Sequence, residues 1–241
     1  MQDAIVIIPT YNEIENIEAI LKAVFNLPKQ FHVLVVDDNS PDGTAAKVKD
    51  LQQLYKDRLF LTVRKEKSGL GTAYIHGFYW SLEKEYQYIF EMDADFSHNP
   101  NDLEKLYNAC HNNGADIAIG SRYVKGVNVV NWPLGRIILS YGASFYVRLI
   151  TGMRIKDATA GFVCYKRKVL ETLDLEDIRF VGYAFQIEMK FKAYLKRFKI
   201  VEVPVIFVDR TKGESKLSSS IISEAIFGVI TMKLKSIFNK K

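Results

Sequence analysis

A chain of 241 residues, 48% of them hydrophobic, is long enough to bury a large core and too apolar to remain disordered. Its 33 basic and 28 acidic residues leave a net charge of +5, which suits phosphate-bearing substrates or an anionic membrane surface and is too small to imply nucleic acid. No helix-turn-helix or zinc-finger spacing occurs, and no basic residues interleave with aromatic ones, so no nucleic-acid partner is expected.

Short β-branched runs alternate with segments of helical spacing. Residues 4–8 read as a strand, followed by Pro9-Thr10-Tyr11-Asn12-Glu13 and a helix over 14–25. Residues 33–36 repeat the strand pattern, and Asp37-Asp38 with the turn Ser40-Pro41-Asp42-Gly43-Thr44 leads into a helix over 44–55. A strand at 59–63, a helix at 72–82, a strand at 88–92, a helix at 101–110 and a strand at 116–119 continue the rhythm. Such βαβ units predict an α/β fold, a mostly parallel sheet with helices on both faces. Ligands of open parallel sheets gather at the carboxyl ends of the strands, where residues 9–13, 37–38 and 93–95 all fall.

Asp93-Ala94-Asp95 is the most informative of these. On an extended segment side chains at i and i+2 share a face, so Asp93 and Asp95 are expected to face one hard cation. Mg2+ favours one or two carboxylates, with water and substrate phosphate filling its other positions. A calcium loop is excluded: Asp93, Asp95, Ser97 and Glu104 fall at ligand spacings, but His98 stands where that loop needs glycine, and a strand precedes it. The remaining reading is a metal and diphosphate site.

Two competing phosphate motifs fail. The turn after the first strand has no glycine, and Gly69-Leu70-Gly71 is followed by Tyr74 where a dinucleotide fingerprint needs a third glycine. No Gly-Lys-Ser/Thr tripeptide supports a P-loop. Of Asp37 and Asp38, one can accept from a base or ribose while the other stabilises the turn, and spacing does not choose between them. Arg122 follows the strand at 116–119, Arg136 and Ser140 lie one helical turn apart, and a loop carrying Arg210, Lys212 and Lys216 follows an apolar strand at 203–208. Such a loop can close on phosphate.

Residues 1–216 read as a single catalytic domain and residues 217–241 as a basic amphipathic helix, which either packs on the sheet domain or a twin subunit or lies on an anionic leaflet. Residues 133–150 carry the same ambiguity. Arg136, Arg148, Glu224, Lys233 and Lys235 interrupt every apolar stretch that could span a bilayer, so any membrane contact is expected to be peripheral. Cys110 and Cys164 form no Cys-x-x-Cys pair, which points away from zinc and disulfides and towards a reducing compartment. The first residues lack the basic-then-apolar pattern of a signal peptide.

Assembled, these residues resemble the polyprenol-phosphate (dolichol-phosphate) mannosyltransferase family of inverting nucleotide-sugar glycosyltransferases. The resemblance runs nearly end to end, through Pro9-Thr10-Tyr11-Asn12-Glu13, Val36-Asp37-Asp38-Asn39-Ser40, Gly69-Leu70-Gly71-Thr72, Met92-Asp93-Ala94-Asp95-Phe96-Ser97-His98, Gly120-Ser121-Arg122-Tyr123 and Gly213-Glu214-Ser215-Lys216-Leu217. It implies an A-type nucleotide-sugar glycosyltransferase fold, a GDP-mannose donor, Mg2+ or Mn2+, and a polyprenol phosphate acceptor met at the cytoplasmic face of a membrane. Pro9, Tyr11, Glu13 and Asp38 would contact the nucleotide, with Asp37 and Ala94 kept among the substrate-binding positions. Asp93 and Asp95 would face metal and diphosphate. Arg122, counted with them as catalytic, and Arg136, Ser140, Arg210 and Lys216 would handle donor and acceptor phosphates. Ser97 occupies a position where some relatives place a glutamine metal ligand, and Ala160 one where serine is usual. The resemblance is to the short form of the family, so either the 133–150 and 217–241 segments or a separate membrane-anchoring protein would bring it to its lipid. Two other readings stand beside this one: transfer of glucose or N-acetylhexosamine from a UDP donor to a lipid phosphate or glycan, and a nucleotide-sugar-binding partner without catalysis.

Overall fold

The computed structural model describes residues 3–209 and 219–238. Strands β1 (Ala4–Thr10), β2 (His32–Asp37), β3 (Leu59–Val63), β4 (Tyr88–Glu91), β5 (Ile117–Ser121), β7 (Val163–Lys166) and β8 (Ile200–Pro204) form one sheet in the order β3-β2-β1-β4-β7-β5-β8. Two short strands, β6 (Val129–Val130) and β9 (Phe207–Val208), pair separately. The helices are α1 (Ile17–Phe25), α2 (Thr44–Gln52), α3 (Leu70–Glu83), α4 (Leu103–His111), α5 (Leu134–Thr151), α6 (Arg167–Thr172), α7 (Tyr183–Leu195) and α8 (Ser219–Phe238).

Side-chain alternation along β1 explains the two-layered core. Ile5 and Ile7 join Phe78 of α3 and Phe185 of α7 on one face, while Val6 and Ile8 join Leu21 of α1, Val48 of α2 and Leu106 of α4 on the other. A sheet covered on both faces needs strands apolar throughout, which is why these segments read as unbroken hydrophobic runs. Each such side chain removed from water contributes about 1.5–3 kcal/mol.

Strand β7 departs from the expected pattern. It runs antiparallel to both β4 and β5, whereas the other pairings in the sheet are parallel. The reversal has a functional consequence: the segment entering β7, residues 157–162, arrives at the rim where the neighbouring strands end. The strand expected at 203–208 is divided, Pro204 closing β8 and Phe207 opening β9 beside β6. The helix expected from residue 14 starts at Ile17, because Asn16 N–H and Ile17 N–H both donate to Glu13 O, at 3.0 and 2.9 Å, and form a turn first.

Helix α8 packs against α5 and α7. Val229 and Met232 are buried there, Tyr146 Oη donates to Ile226 O at 2.9 Å, and Lys233 Nζ donates to Thr151 O at 3.2 Å. The boundary drawn between residues 216 and 217 lies outside the described residues.

Candidate active site

The turns leaving β1 and β2 are built on each other. Asn12 and Asn39 take left-handed φ values of 60° and 57°, which asparagine tolerates because its short polar side chain bonds locally. Asn12 N–H donates to Ser40 Oγ at 3.1 Å, Glu13 N–H to Thr44 Oγ1 at 3.1 Å and Ile14 N–H to Asp42 Oδ2 at 3.0 Å. Pro9 is half-buried at the end of β1. The Glu13 carboxylate accepts from Asn16 Nδ2 at 2.9 Å, and the Lys67 ammonium lies 4.3 Å from the Tyr11 ring centre.

Asp37 and Asp38 divide the two roles that spacing left open. The Asp37 carboxylate is fully buried and accepts from Thr10 Oγ1 at 2.7 Å, Ser40 N–H at 2.9 Å and Ser40 Oγ at 2.6 Å. These bonds tie β1 to the turn. Asp38 lies next to Arg64, whose Nε and Nη2 donate to its two oxygens at 2.6 and 2.8 Å. Arg64 Nη1 also donates to Thr72 Oγ1 at 2.8 Å, so this forked pair fixes the start of α3 beside the turn leaving β2. Arg64 escaped the sequence reading, although it follows a strand end as the recognised motifs do.

Strand β4 ends at Glu91, so Asp93 and Asp95 stand in a loop and the expected strand alternation does not reach them. The loop is shaped by Phe96 at φ 60° and by Ser97 N–H donating to Asp95 Oδ1 at 3.0 Å. Tyr74 Oη reaches Asp93 Oδ1 at 3.5 Å. The Ala94 side chain is buried in the apolar cluster beneath. His98 Nδ1 accepts the Asp93 N–H at 3.1 Å, which places the ring proton on Nε2; its 3.9 Å approach to Asp93 Oδ2 is therefore not an ion pair. Burial pushes His98 down to about 4, against the pull of Asp95, so the imidazole is neutral at physiological pH.

A divalent cation fits this loop by its donor chemistry. Asp93 is 39% exposed at its side chain and Asp95 lies deeper, so two carboxylates converge from rim and floor. The Ser97 hydroxyl is buried without a hydrogen-bond partner, an expense that a hard-metal contact would remove. No cluster of three or more His, Cys, Asp or Glu side chains suited to a metal occurs among the described residues.

Across the rim, Arg122 follows β5 and is 8% exposed. Its Nε and Nη2 donate to Asp157 at 2.8 and 2.6 Å, and Nη2 donates to Thr159 Oγ1 at 2.9 Å. Asp157 N–H in turn donates to Glu202 Oε1, as does Ser121 Oγ, at 2.9 and 2.7 Å. Arg122 is thus a braced guanidinium beside the aromatic rings of Tyr123, Trp132 and Phe207. Arg136 Nη1 donates to Asp209 Oδ1 at 2.7 Å over the Trp132 ring, and Ser140 Oγ accepts from Tyr123 Oη at 2.8 Å. The structure therefore brings Arg122, Arg136 and Ser140 together around Tyr123 and Trp132. Arg210 and Lys216 lie outside the described residues.

Comparison with known proteins gives the chain its family. Residues 5–174 match glycosyl transferase family 2. The chain is 48% identical over 228 residues to a polyprenol monophosphomannose synthase from Mycolicibacterium smegmatis, covering 95% of this chain and 86% of the relative. It is 44% identical to an undecaprenyl-phosphate mannosyltransferase from Micrococcus luteus, covering 92% and 90% of the two chains. A dolichol-phosphate mannosyltransferase from Pyrococcus furiosus is 40% identical over 91% of this chain and 60% of its own length. Among solved structures, a mannosyltransferase from Pyrobaculum calidifontis in complex with GDP-Man and Mn2+ superposes with a TM-score of 0.62 at 19% identity, covering 99% of this chain and 65% of that one. A glucosyl-3-phosphoglycerate synthase from Mycobacterium tuberculosis in complex with UDP gives 0.67 at 14% identity over 97% of this chain and 79% of its own. These structures share the fold, which is the expected A-type nucleotide-sugar glycosyltransferase architecture. By its match over most of its length and its 40% and 48% identical relatives, the chain belongs to glycosyl transferase family 2 and, within it, to the polyprenol-phosphate mannosyltransferases.

Proposed function

We propose that this protein transfers mannose from GDP-mannose to a polyprenol phosphate, inverting the anomeric carbon, at the cytoplasmic surface of a membrane. The reading is carried by one coincidence: relatives named for this lipid class match over 91–95% of the chain, and its rim sets carboxylates against the cations Arg122 and Arg136. Pro9, Tyr11, Glu13 and Asp38 are the nucleotide-side contacts. Asp93, Asp95 and the Ser97 hydroxyl would hold Mg2+ or Mn2+, which supplies charge neutralisation at the diphosphate.

An acceptor phosphate monoester is ionised at neutral pH, so its oxygen needs no base to attack the anomeric carbon. The new carbon–oxygen bond forms as the bond to GDP breaks, and the departing diphosphate keeps the electron pair. A site whose histidine, His98, is neutral with Nδ1 already accepting suits this proton-free displacement. Catalysis then rests on placement and on charge stabilisation. Arg136 and Ser140, with Arg210 and Lys216, are assigned to the acceptor phosphate, and Arg122 braces their surroundings through Asp157.

The lipid has a docking face beside this site. Leu134, Ile138, Tyr141, Phe145 and Leu149 of α5 are exposed at helical spacing, next to exposed Phe227, Leu234 and Phe238 of α8. Helix α5 carries Arg136 and Arg148 and no acidic residue, which favours an anionic surface. No helix among the described residues is long and apolar enough to cross a membrane. The testing experiment offers purified protein a panel of GDP-mannose, UDP-glucose and UDP-N-acetylglucosamine with polyprenol phosphate and Mn2+. Lipid-soluble product from GDP-mannose is expected; product from a UDP-sugar instead would overturn the donor, and binding without turnover would favour the non-catalytic reading.

A further inference from the structure

Beneath the rim lies a buried polar cluster that takes no direct part in the transfer. The Lys190 ammonium, on α7 and fully buried, donates to Ala160 O at 2.7 Å, Gln186 Oε1 at 3.0 Å and Gln186 O at 3.1 Å, occupying its three protons. Gln186 Nε2 donates onward to Glu91 Oε2 at 2.7 Å. Glu91 is the last residue of β4, two positions ahead of Asp93, and it too is fully buried. Ala160 belongs to the segment that delivers Asp157 to Arg122, and having no polar side-chain group it is gripped by its carbonyl oxygen.

A single ammonium thus links the segment that aims Arg122 to the strand end that launches Asp93 and Asp95. Packing does not require this. Burying an ammonium carries a desolvation penalty of several kcal/mol, and apolar residues of the same volume often replace buried charged groups without loss of stability. What apolar residues cannot do is hold a backbone carbonyl of an irregular segment at a fixed place, since they offer it no donor.

We propose that Lys190 is a positioning residue of the transfer reaction, its ammonium clipping Ala160 O so that the 157–161 segment keeps Arg122 and the acceptor-phosphate cations in register with the donor-side carboxylates. The inference rests on the transfer reading above. The double variant Glu91→Gln/Lys190→Met removes the carboxyl and the ammonium at nearly constant volume and leaves no buried charge behind, so it separates positioning from stability. It is expected to melt close to wild type and to bind GDP with Mn2+ within about twofold, yet to lose about tenfold or more in kcat/KM for polyprenol phosphate, with faster hydrogen exchange at 157–162. A double variant with native melting, turnover and protection would overturn the proposal.

A second measurement needs no variant. In the wild-type protein, amides of 160–162 are expected to exchange as slowly as those of β4; exchange at the rate of an exposed loop would overturn the clip whatever the variants do. If the wild type transfers no mannose to lipid, the transfer reading falls, while GDP binding and hydrogen exchange still decide whether Lys190 holds the segment.

Discussion

Adjacent aspartates can do unrelated work, and Asp37 and Asp38 separate by burial and partners. Asp37 accepts three hydrogen bonds inside the protein, so Asp37→Asn turns an amide against donors and is expected to lower stability by about 1–3 kcal/mol in urea denaturation. An unchanged midpoint would show that the turn does not depend on it. The sequence reading could not make this division, because Thr10 lies 27 residues from Asp37 and Arg64 26 from Asp38. It singled out Asp93 and Asp95 on an argument from strand alternation that stops at Glu91. The residues that complete their surroundings, Tyr74, His98 and the unpartnered Ser97 hydroxyl, become meaningful only once the loop is folded. Asp157 and Glu202 are hidden for the same reason, lying 35 and 81 residues from Arg122 and Ser121, which they hold.

Among elements, the parallel part of the sheet was legible because its strands are buried on both faces and advertise themselves as apolar runs. Strand β7 was not: its reversal follows from how it inserts between β4 and β5, and no local pattern in Val163–Lys166 encodes direction. The glycines opening α3 have a physical reason other than phosphate binding. Gly69 sits at φ 101°, and a Cβ on Gly71 would lie 2.8 Å from the Phe185 ring and 2.9 Å from Phe180 O. Alanine ordinarily favours a helix over glycine by about 1 kcal/mol. Here Gly71→Ala is expected to destabilise the protein by about 1–3 kcal/mol, read from its melting curve, because backbone and ring must move aside; a raised melting temperature would contradict this packing. Helices α5 and α8 make a second prediction. Replacing exposed Leu149 and Phe227 with glutamate is expected to leave the melting curve intact and to reduce co-sedimentation with anionic vesicles about tenfold or more. Equal sedimentation would remove this face from the account.

For the whole molecule, stability and pH are linked through buried histidine. His32 hydrogen-bonds Tyr86 Oη at 2.5 Å, and burial, with the Arg58 charge, holds it below the usual imidazole range. The unfolded chain therefore takes up this proton first as pH falls, so stability present above about pH 6.5 is lost below it. Urea midpoints measured at about pH 7.5 and about pH 5.5 should fall further on acidification for wild type than for His32→Gln; equal falls would show that His32 titrates alike in both states. At this scale carboxylates and cations are delivered to one rim by strands that end there and by one reversed strand that begins there, and the proposed transfer rests on that placement. The most direct test is a single assay of labelled GDP-mannose with polyprenol phosphate and Mn2+, run on wild type and Asp95→Ala. The account predicts mannosylated lipid from the wild type and at least about a hundredfold less from the variant; a variant that retains most of its metal-dependent transfer, or a wild type that makes no lipid product, would contradict it.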